Sequence, residues 1–416
     1  QKGAFEPMIE FEPTEDQRLM QDSIAQIANA TLAPRLREFE RLRALPDDVL
    51  RAGHEIGLSL LTLPEACGGQ GQGLVTSVLI EEELGSADAG AAFALSGPGA
   101  LGTALLELGT EDQARSFLED FSSSDDDAHT RFGAVAWSEP APNKQREGFT
   151  TTAVKDGAGY VLTGKKAFVT NAPLARRFVV FAQVDETKGW GGIGAFVVEK
   201  DNPGLKIGKR HDTLGLDAAA FGEITLEGAR VAEAARLHGG ANDGDFTRAT
   251  LRFFAKRALI VSARALGLSR FAFDIAREYC DTRVAFGKPI GHFQAVAFTL
   301  ADRLMDVESA RWLLWKAARA WDAGAREKDA LKATAQAAAH ALEVAMRTAD
   351  DCVSLHGGSG FIRDLVAEKL MRDAKQIALA CPTTEQLDQL AAALDVQAKL
   401  DPALVLPTPD TQAIFT

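Results

Sequence analysis

The chain has 416 residues, of which 46% are hydrophobic and 25% are charged, and its formal net charge is -13 at pH 7. This length and composition are typical of a globular protein with two or three packed units, since domains usually contain about 100–200 residues. The negative charge argues against a nucleic-acid-binding surface, because neutralising phosphates requires a basic patch and none stands out.

Other features of the sequence narrow the class of protein further. No apolar run approaches the ~18 residues of a membrane-spanning helix, and the first residues lack the basic, apolar and small-residue order of a secretory signal. The cysteines are far apart and form no CxxC pair: Cys67, Cys280, Cys352 and Cys381. This spacing argues against a zinc site and favours a reducing compartment, so we expect a cytoplasmic protein without a bound metal.

The N-terminal third of the chain has helical patterns. The segment Thr14-Glu-Asp-Gln17 has the spacing of a capping box and precedes an apolar-periodic run. It predicts a first helix over 14–32 that ends near Pro34. Helical patterns recur to about residue 121, and we predict an N-terminal helical domain over 1–129.

A glycine-rich segment, Cys67–Gly73, interrupts these helical patterns. A nucleotide-binding loop of the Rossmann type needs a preceding strand and an acidic residue ~20 positions further on. The preceding segment, Leu60-Leu-Thr-Leu-Pro64, does not meet that requirement. We therefore predict a tight turn between helices at this position.

The pattern changes to short β-favouring runs after the acidic segment Ser122–Asp127, which we interpret as a solvated loop. The runs are separated by Gly, Asp and Asn residues and extend from Phe132 to Leu226. Gly164-Lys165 stands between two of them and suggests a hairpin. These features predict a compact antiparallel β domain over 130–240.

The C-terminal part of the chain returns to helical patterns that are longer than those at the N-terminus. A heptad-like stripe is formed by Leu304, Val307, Leu314 and Trp321. Ala333–Ala349 is so rich in alanine that neighbouring helices could approach closely. We predict a four-helix bundle over 241–416, and hence an α+β fold class that is mostly helical.

The segment Leu355–Glu385 combines three features. Glycines in His356–Gly360 would allow the backbone to approach an extended polyanionic ligand. A charged, helix-favouring run follows. Pro382 then ends that helix, and Thr383, three residues before Gln386, predicts the capping box of a further helix.

This segment, together with Arg283–Gln294, resembles the C-terminal signature and the flavin-binding segment of the acyl-CoA dehydrogenase family. The similarity extends from about residue 14 to about residue 395. It implies an FAD-dependent oxidoreductase that acts on the CH–CH bond of an acyl thioester. It also implies a homodimer or homotetramer that shares its flavin sites between chains, with an electron-transfer flavoprotein as electron acceptor.

The resemblance also assigns candidate cofactor-binding residues. One group would contact the flavin ring, one would come from a neighbouring subunit and one would follow the rest of the cofactor. A tryptophan is commoner in the family where Phe168 stands, and each residue taken alone has an ordinary structural interpretation. The candidates are Trp137, Ser138, Phe168, Thr170, Arg283, Phe286, Gln294, Gly357, Gly358, Thr383 and Glu385.

The resemblance fails where the family has its catalytic base. Removing a proton next to a thioester carbonyl requires a base within hydrogen-bonding reach, and most of the family uses a glutamate for which Cys381 stands in this sequence. A second lineage places its glutamate where this sequence has Arg257. For Cys381, a small residue packed at a loop is a better interpretation than a catalytic role.

Three explanations of the missing glutamate stay open. A carboxylate from elsewhere, such as Glu385, could act as the base. The chemistry could differ, as in flavin-dependent desulfinases or monooxygenases of the same fold, or the chain could be a non-catalytic FAD-loaded subunit. Lys144 and Arg257 are the candidate substrate-binding residues, and the thioester carrier, CoA or a carrier protein, stays open too.

Overall fold

The computed structural model describes residues 12–123, 125–141, 147–239, 245–379 and 382–396. In these residues an N-terminal helical unit, a central sheet and a C-terminal helical unit follow one another. The predicted fold class, α+β and mostly helical, is confirmed. The N-terminal helices are α1 (Glu15–Thr31), α2 (Leu36–Leu42), α3 (Asp47–Glu55), α4 (Leu74–Ala94), α5 (Gly99–Leu108) and α6 (Glu111–Leu118).

The predicted capping box at the start of α1 is confirmed. The Thr14 hydroxyl accepts a hydrogen bond from the Gln17 backbone N–H at 3.2 Å, and the Gln17 side chain accepts one from the Thr14 N–H at 3.0 Å. The glycine-rich turn is also confirmed, because Gly68 adopts the left-handed conformation after a short 3₁₀ turn and α4 begins at residue 74. These local signals therefore fix the helix starts in the N-terminal unit.

The strands of the central sheet are β1 (Phe132–Ala136), β2 (Thr152–Asp156), β3 (Gly159–Thr170), β4 (Ala175–Gln183), β5 (Ile193–Glu199), β6 (Leu205–Arg210), β7 (Phe221–Ala232) and β8 (Arg236–Leu237). The sheet is mainly antiparallel, as predicted, but β4 pairs in parallel with both β1 and β2. A parallel pairing needs a longer connection than a hairpin, and here β2 and β3 lie between β1 and β4 in the sequence. The strand order is β6-β7-β3-β2-β4-β5-β8, with β1 beside β4.

The predicted hairpin at Gly164-Lys165 is wrong. Strand β3 continues through both residues, and the hairpin lies earlier, where Asp156 pairs with Gly159. Gly164 has φ +150° and lies against the backbone of Thr151, which a Cβ atom would approach to 2.6 Å. The glycine permits a close approach between neighbouring strands and does not form a turn.

The C-terminal helices pack as a bundle against α4. Val307 and Leu314 of the predicted stripe are buried, but Leu304 is exposed. The predicted capping box of Thr383 and Gln386 is confirmed. The elements are α7 (Phe246–Thr282), a hairpin of β9 (Val284–Ala285) and β10 (Lys288–Pro289), α8 (Gln294–Asp322), α9 (Glu327–His356), α10 (Ala367–Ala378) and α11 (Thr384–Asp395).

The largest cluster of buried apolar residues contains side chains of all three units, among them Leu105 of α5, Phe181 of β4 and Leu268 of α7. Among the described residues no single helix is long and apolar enough to cross a membrane. Helices α4 and α5 reach that length and composition together, across a bend of 78°.

A buried charge cluster joins the N-terminal and C-terminal units. Asp88 has extended backbone angles inside α4 and bends that helix, and its side chain accepts the Ala91 N–H at 2.9 Å. The Lys369 ammonium lies 2.6 Å from Asp373 and 3.1 Å from Asp88, although the second contact does not have hydrogen-bond geometry. Asp373 also accepts the Leu216 N–H at 2.6 Å. The cluster thus fixes the bend of α4 and the turn at residue 216 relative to α10.

Candidate functional site

A cavity of about 690 Å³ lies where the three units meet. Its size is within the range of ~300–1,000 Å³ that is usual for small-molecule sites. One wall is made by the ends of β1 and β3 and by the turn at 211–216. The opposite walls are made by α4, α5, α7 and the last turn of α10.

Four of the predicted cofactor-binding residues lie together on the strand-end wall: Trp137, Ser138, Phe168 and Thr170. The two strand ends are joined because the Ala167 N–H donates to the Ser138 carbonyl at 2.9 Å. Neither side-chain hydroxyl, on Ser138 or Thr170, is hydrogen-bonded to another residue of the described part of the chain. Both hydroxyls can therefore donate a hydrogen bond to a ligand or accept one from it, and aromatic side chains lie on the same wall. Such a wall fits a flavin ring, which needs apolar contacts and a few polar partners.

Phe168 is the most unusual residue of this wall. Its φ is +56°, a conformation that is strained for a bulky residue and is often found at functional sites. Its side chain is 67% exposed, and its ring centroid lies 5.4 Å from that of His211. An aromatic ring kept in a strained position beside a cavity is suited to stacking on a planar ligand.

A buried ion pair behind this wall was not singled out from the sequence. The Lys166 ammonium donates to the Trp137 carbonyl at 2.9 Å and to Glu139 at 3.1 Å, and lies 3.5 Å from the Phe149 ring centroid. Burial lowers the pKa of Lys166 to about 8, against the attraction of Glu139. Burial alone would raise the pKa of Glu139, but the charge of Lys166 and hydrogen bonds from two threonines lower it on balance. The pair joins the end of β1 to β3.

A second ion pair that the sequence did not reveal lies on the helical wall. Arg264 of α7 contacts Glu81 of α4 through two parallel bonds, Nε to Oε2 at 2.6 Å and a terminal nitrogen to Oε1 at 2.8 Å. Arg257, predicted as a substrate-binding residue, lies on the same wall. The only sequence signal was the presence of charged residues within otherwise apolar helical runs.

The other predicted cofactor-binding residues lie away from this cavity. Arg283, Phe286 and Gln294 are on or beside the β9–β10 hairpin, and Gly357 and Gly358 follow α9. Thr383 and Glu385 line a separate open depression with Arg347 and Lys375. Within one chain, four of the eleven candidates therefore line this cavity and the other seven lie outside it.

The described residues do not identify a catalytic base. Cys381, at the predicted position of the base, lies outside them, as does Lys144, which was predicted as a substrate-binding residue. Of the described carboxylates, Glu81 and Asp212 line the cavity; Glu81 is held by Arg264, and the Asp212 side chain is 91% exposed and lies 3.0 Å from Arg43. Glu385, considered above as a relocated base, is not among the cavity-lining residues.

Family models for the N-terminal, middle and C-terminal domains of acyl-CoA dehydrogenases match residues 14–125, 134–229 and 245–393. The chain is 34% identical over 362 residues to cyclohex-1-ene-1-carbonyl-CoA dehydrogenase of Geobacter metallireducens, covering 87% of this chain and 93% of that relative. It is 32% identical over 356 residues to a subunit of the caffeyl-CoA reductase-Etf complex of Acetobacterium woodii, covering 85% and 91%. Butyryl-CoA dehydrogenase from Megasphaera elsdenii has a similar structure, with a TM-score of 0.84, 29% identity and coverage of 93% and 100%.

Proposed function

Because the chain belongs to the acyl-CoA dehydrogenase family of FAD-dependent oxidoreductases acting on CH–CH groups, we propose that it oxidises the Cα–Cβ bond of an acyl thioester. One observation carries this proposal. A single cavity joins the strand-end wall of Ser138, Phe168 and Thr170 to the helical wall of α4 and α7. It therefore offers adjacent space for a flavin ring and an acyl chain.

In this proposal Trp137, Ser138, Phe168 and Thr170 hold the flavin ring of FAD in their own chain. When bound, the flavin accepts the hydride that leaves the β carbon. The strained Phe168 ring stacks on the cofactor, and the free bonding capacity of the two hydroxyls orients its polar edge. Arg283, Phe286 and Gln294 act on the FAD of a neighbouring chain, and Gly357, Gly358, Thr383 and Glu385 follow the rest of the cofactor.

Proton removal from the α carbon is the weak step of the proposed reaction. Cys381 occupies the family position of the base, and an unperturbed thiol has a pKa of ~8.5, which makes it a poor base at neutral pH. Loss of a general base typically lowers the rate by ~10²–10⁴-fold. We therefore expect slow dehydrogenation. The compared proteins are dehydrogenases and reductases, which gives no support to a desulfinase, a monooxygenase or a non-catalytic subunit.

Cys381→Glu is expected to accelerate flavin reduction by about 10²–10⁴-fold, because it restores a carboxylate at the family position of the base. The measurement is anaerobic bleaching of the bound flavin by acyl-CoAs in a stopped-flow instrument. Cys381→Ser, which changes the side chain without adding a carboxylate, is the matched control and should stay slow. Rapid bleaching by the unmodified protein would contradict the impaired-base proposal, and oxygen-dependent turnover without bleaching would favour a monooxygenase.

Exposed apolar residues support the proposal of a homodimer or homotetramer. Phe286 is 97% exposed and has φ +52° at the tip of the β9–β10 hairpin. Phe298 and Met305 lie seven residues apart on α8 and are both exposed, so they form one stripe along the helix. Bulky apolar residues grouped in this way are typical of surfaces that are buried on association.

Met305→Glu is expected to shift the protein to a smaller species, because a charge in a buried apolar interface is unfavourable. Sedimentation velocity measures the change, and FAD affinity should fall with it, since Arg283 and Phe286 are proposed to act on a neighbouring chain. Leu19→Glu, at an exposed apolar residue of α1, is the control and should change neither property. An unaltered sedimentation coefficient for Met305→Glu would refute this interface.

Two further assignments belong to the proposal. CoA is the proposed thioester carrier, with Lys144 and Arg257 as substrate-binding residues. An electron-transfer flavoprotein is the proposed electron acceptor, as the name of the A. woodii relative suggests. A reducing compartment such as the cytoplasm suits Cys67, Cys280 and Cys352, which are free thiols.

A further inference from the structure

The α7 side of the cavity forms a wall that begins at the strand ends. Phe254 contacts the Trp137 ring of the strand-end wall, with ring centroids 4.8 Å apart. Arg257, Ile260 and Arg264 continue this wall, and Arg264 is the last α7 residue of the described lining. Phe254 and Arg264 are ten residues apart, which is about 15 Å along a helix. An acyl chain that starts at the proposed flavin contacts and follows α7 therefore ends at Arg264.

Helices α4 and α7 touch at this end of the wall. A Cβ on Gly85 would lie 2.3 Å from the Arg264 carbonyl oxygen, and a Cβ on Gly267 would lie 2.0 Å from the Glu82 carbonyl oxygen. The two backbones are in contact here, so a ligand cannot pass between the helices at this point. The side chains of Glu81 and Arg264 line the cavity beside this contact.

The two side chains neutralise each other and are largely buried. Two parallel hydrogen bonds, of 2.6 and 2.8 Å, join the Arg264 guanidinium to the Glu81 carboxylate. Side-chain exposure is 6% for Arg264 and 16% for Glu81, and the guanidinium lies 4.7 Å from the centroid of the Phe93 ring. The pair therefore needs no charged group from a ligand, but the surface that it leaves in the cavity is polar.

This polar surface affects an alkyl chain differently from the wall before it. A chain that reaches the pair removes water from the Glu81 carboxylate and offers no hydrogen bond in return, which is unfavourable. A shorter chain contacts apolar residues such as Ile260 and Leu84 and gains affinity with each methylene. Arg257 stands two turns earlier on α7 and is less buried than Arg264, so its guanidinium can keep contact with water beside an alkyl chain.

We propose that the Glu81–Arg264 pair is the polar end of the acyl site and limits the length of the alkyl chain that binds. The proposal rests on the proposed function and specifies its substrate class, an acyl thioester of short or medium chain length. An extended chain advances about 1.2 Å per bond, since three backbone bonds span about 3.3–3.6 Å. About 12 bonds therefore cover the wall of about 15 Å, and we expect the limit at or below the dodecanoyl chain.

The test measures the dissociation constants of butyryl-, hexanoyl-, octanoyl-, decanoyl- and dodecanoyl-CoA by titration calorimetry. The FAD-loaded protein is reduced with dithionite under anaerobic conditions, so that no dehydrogenation occurs during the titration. Affinity is expected to rise about fourfold per methylene among the short chains, the usual effect of burying one CH₂ group, and to stop rising when the chain reaches the pair. At that length the ligand with a terminal hydroxyl should bind more tightly than the alkyl ligand, because it can donate a hydrogen bond to Glu81.

The double variant Glu81→Leu with Arg264→Met replaces the pair by apolar side chains of similar size and leaves neither charge without its partner. It is expected to bind dodecanoyl-CoA about tenfold or more tightly than the unmodified protein does, the effect of burying two further methylenes. Its affinity for butyryl-CoA should change by less than about threefold. Glu83→Leu with Arg270→Met is the matched control, because it removes another ion pair between α4 and α7 that is not part of the described lining. This control should keep the original limit.

The remaining outcomes overturn distinct statements. Affinity that rises without a limit to dodecanoyl-CoA in the unmodified protein, or a limit that the double variant leaves unchanged, overturns the length proposal and leaves the proposed function intact. Equal binding of the hydroxyl and alkyl ligands at the limit overturns the role of the pair's polarity. These two measurements on the unmodified protein decide the proposal even if the double variant does not retain FAD. Failure to bind any of the thioesters overturns the proposed function, and the length proposal with it.

Discussion

Replacing Lys369 with methionine is expected to lower the free energy of unfolding by about 3–5 kcal/mol, the usual effect of removing one partner from a buried ion pair. The ammonium lies between Asp88 and Asp373, and all three side chains are almost completely buried. Without it, two carboxylates would face each other in the core. Because Asp373 also holds the Leu216 N–H, we expect the cavity-lining turn at residue 216 to loosen as well.

The variant should also acquire a characteristic pH dependence. Burial, with a further contribution from Asp88, already raises the pKa of Asp373 against the attraction of Lys369. Without Lys369 the Asp373 carboxyl should take up a proton in the folded state that the unfolded chain does not hold above about pH 5. The folded state then binds more protons, so stability falls as pH rises. We expect this fall between pH 5 and 8.

Urea unfolding followed by circular dichroism at pH 5, 6, 7 and 8 measures both effects. Lys155→Met is the control, because Lys155 forms an exposed pair with Glu233 at 3.0 Å and such pairs contribute at most about 1 kcal/mol. Adding Asp373→Asn to the Lys369→Met variant should recover part of the loss. A Lys369→Met protein with nearly unchanged stability and no pH dependence would show that this cluster is not a stabilising one.

The starts of helices could be predicted because their signals are local. Thr14 with Gln17, and Thr383 with Gln386, close their capping boxes within three residues. Gly164 was misinterpreted because a glycine in a β-favouring segment allows either a turn or a close approach. The deciding neighbour, Thr151, immediately precedes strand β2, so its position could not be obtained from the sequence around Gly164.

For the candidate site, too, some features could be predicted from the sequence and others could not. The resemblance assigned Ser138, Phe168 and Thr170 to one flavin-binding group, and the three residues line one wall of the cavity. The ion pairs could not be predicted, because a sequence gives the charge of a residue but not its burial or its partner. Lys166 is separated from Glu139 by 27 positions, and Arg264 from Glu81 by 183.

Replacing Lys166 with methionine is expected to weaken FAD binding about tenfold or more, a change of roughly 1.4 kcal/mol, and to lower the free energy of unfolding by about 3–5 kcal/mol. The ammonium connects the Trp137 carbonyl and Glu139, and the Thr150 and Thr151 N–H groups also bind Glu139, at 2.7 and 2.8 Å. Without the cation, a buried carboxylate remains at the strand ends that carry the proposed flavin contacts.

The pH dependence of the unmodified protein gives a second expected result. Lys166 loses its proton at about pH 8 in the folded chain, whereas an unfolded lysine keeps its proton up to ~10.4. Between these values the unfolded chain binds more protons, so this group makes the folded state more stable as pH rises. The stability difference between the unmodified protein and Lys166→Met should therefore grow from pH 8 to pH 10, by at most about 1.4 kcal/mol per pH unit.

Lys165→Met is a matched control, because Lys165 is the preceding residue on the same strand and its side chain is exposed. FAD affinity is measured by the recovery of flavin fluorescence on release, and stability by urea unfolding at pH 7, 8, 9 and 10. The control should stay within about 0.5 kcal/mol of the unmodified protein at every pH. If Lys166→Met retains FAD as tightly as Lys165→Met, the ion pair does not position the strand ends. If the stability difference stays constant from pH 8 to 10, Lys166 does not titrate in that range in the folded chain.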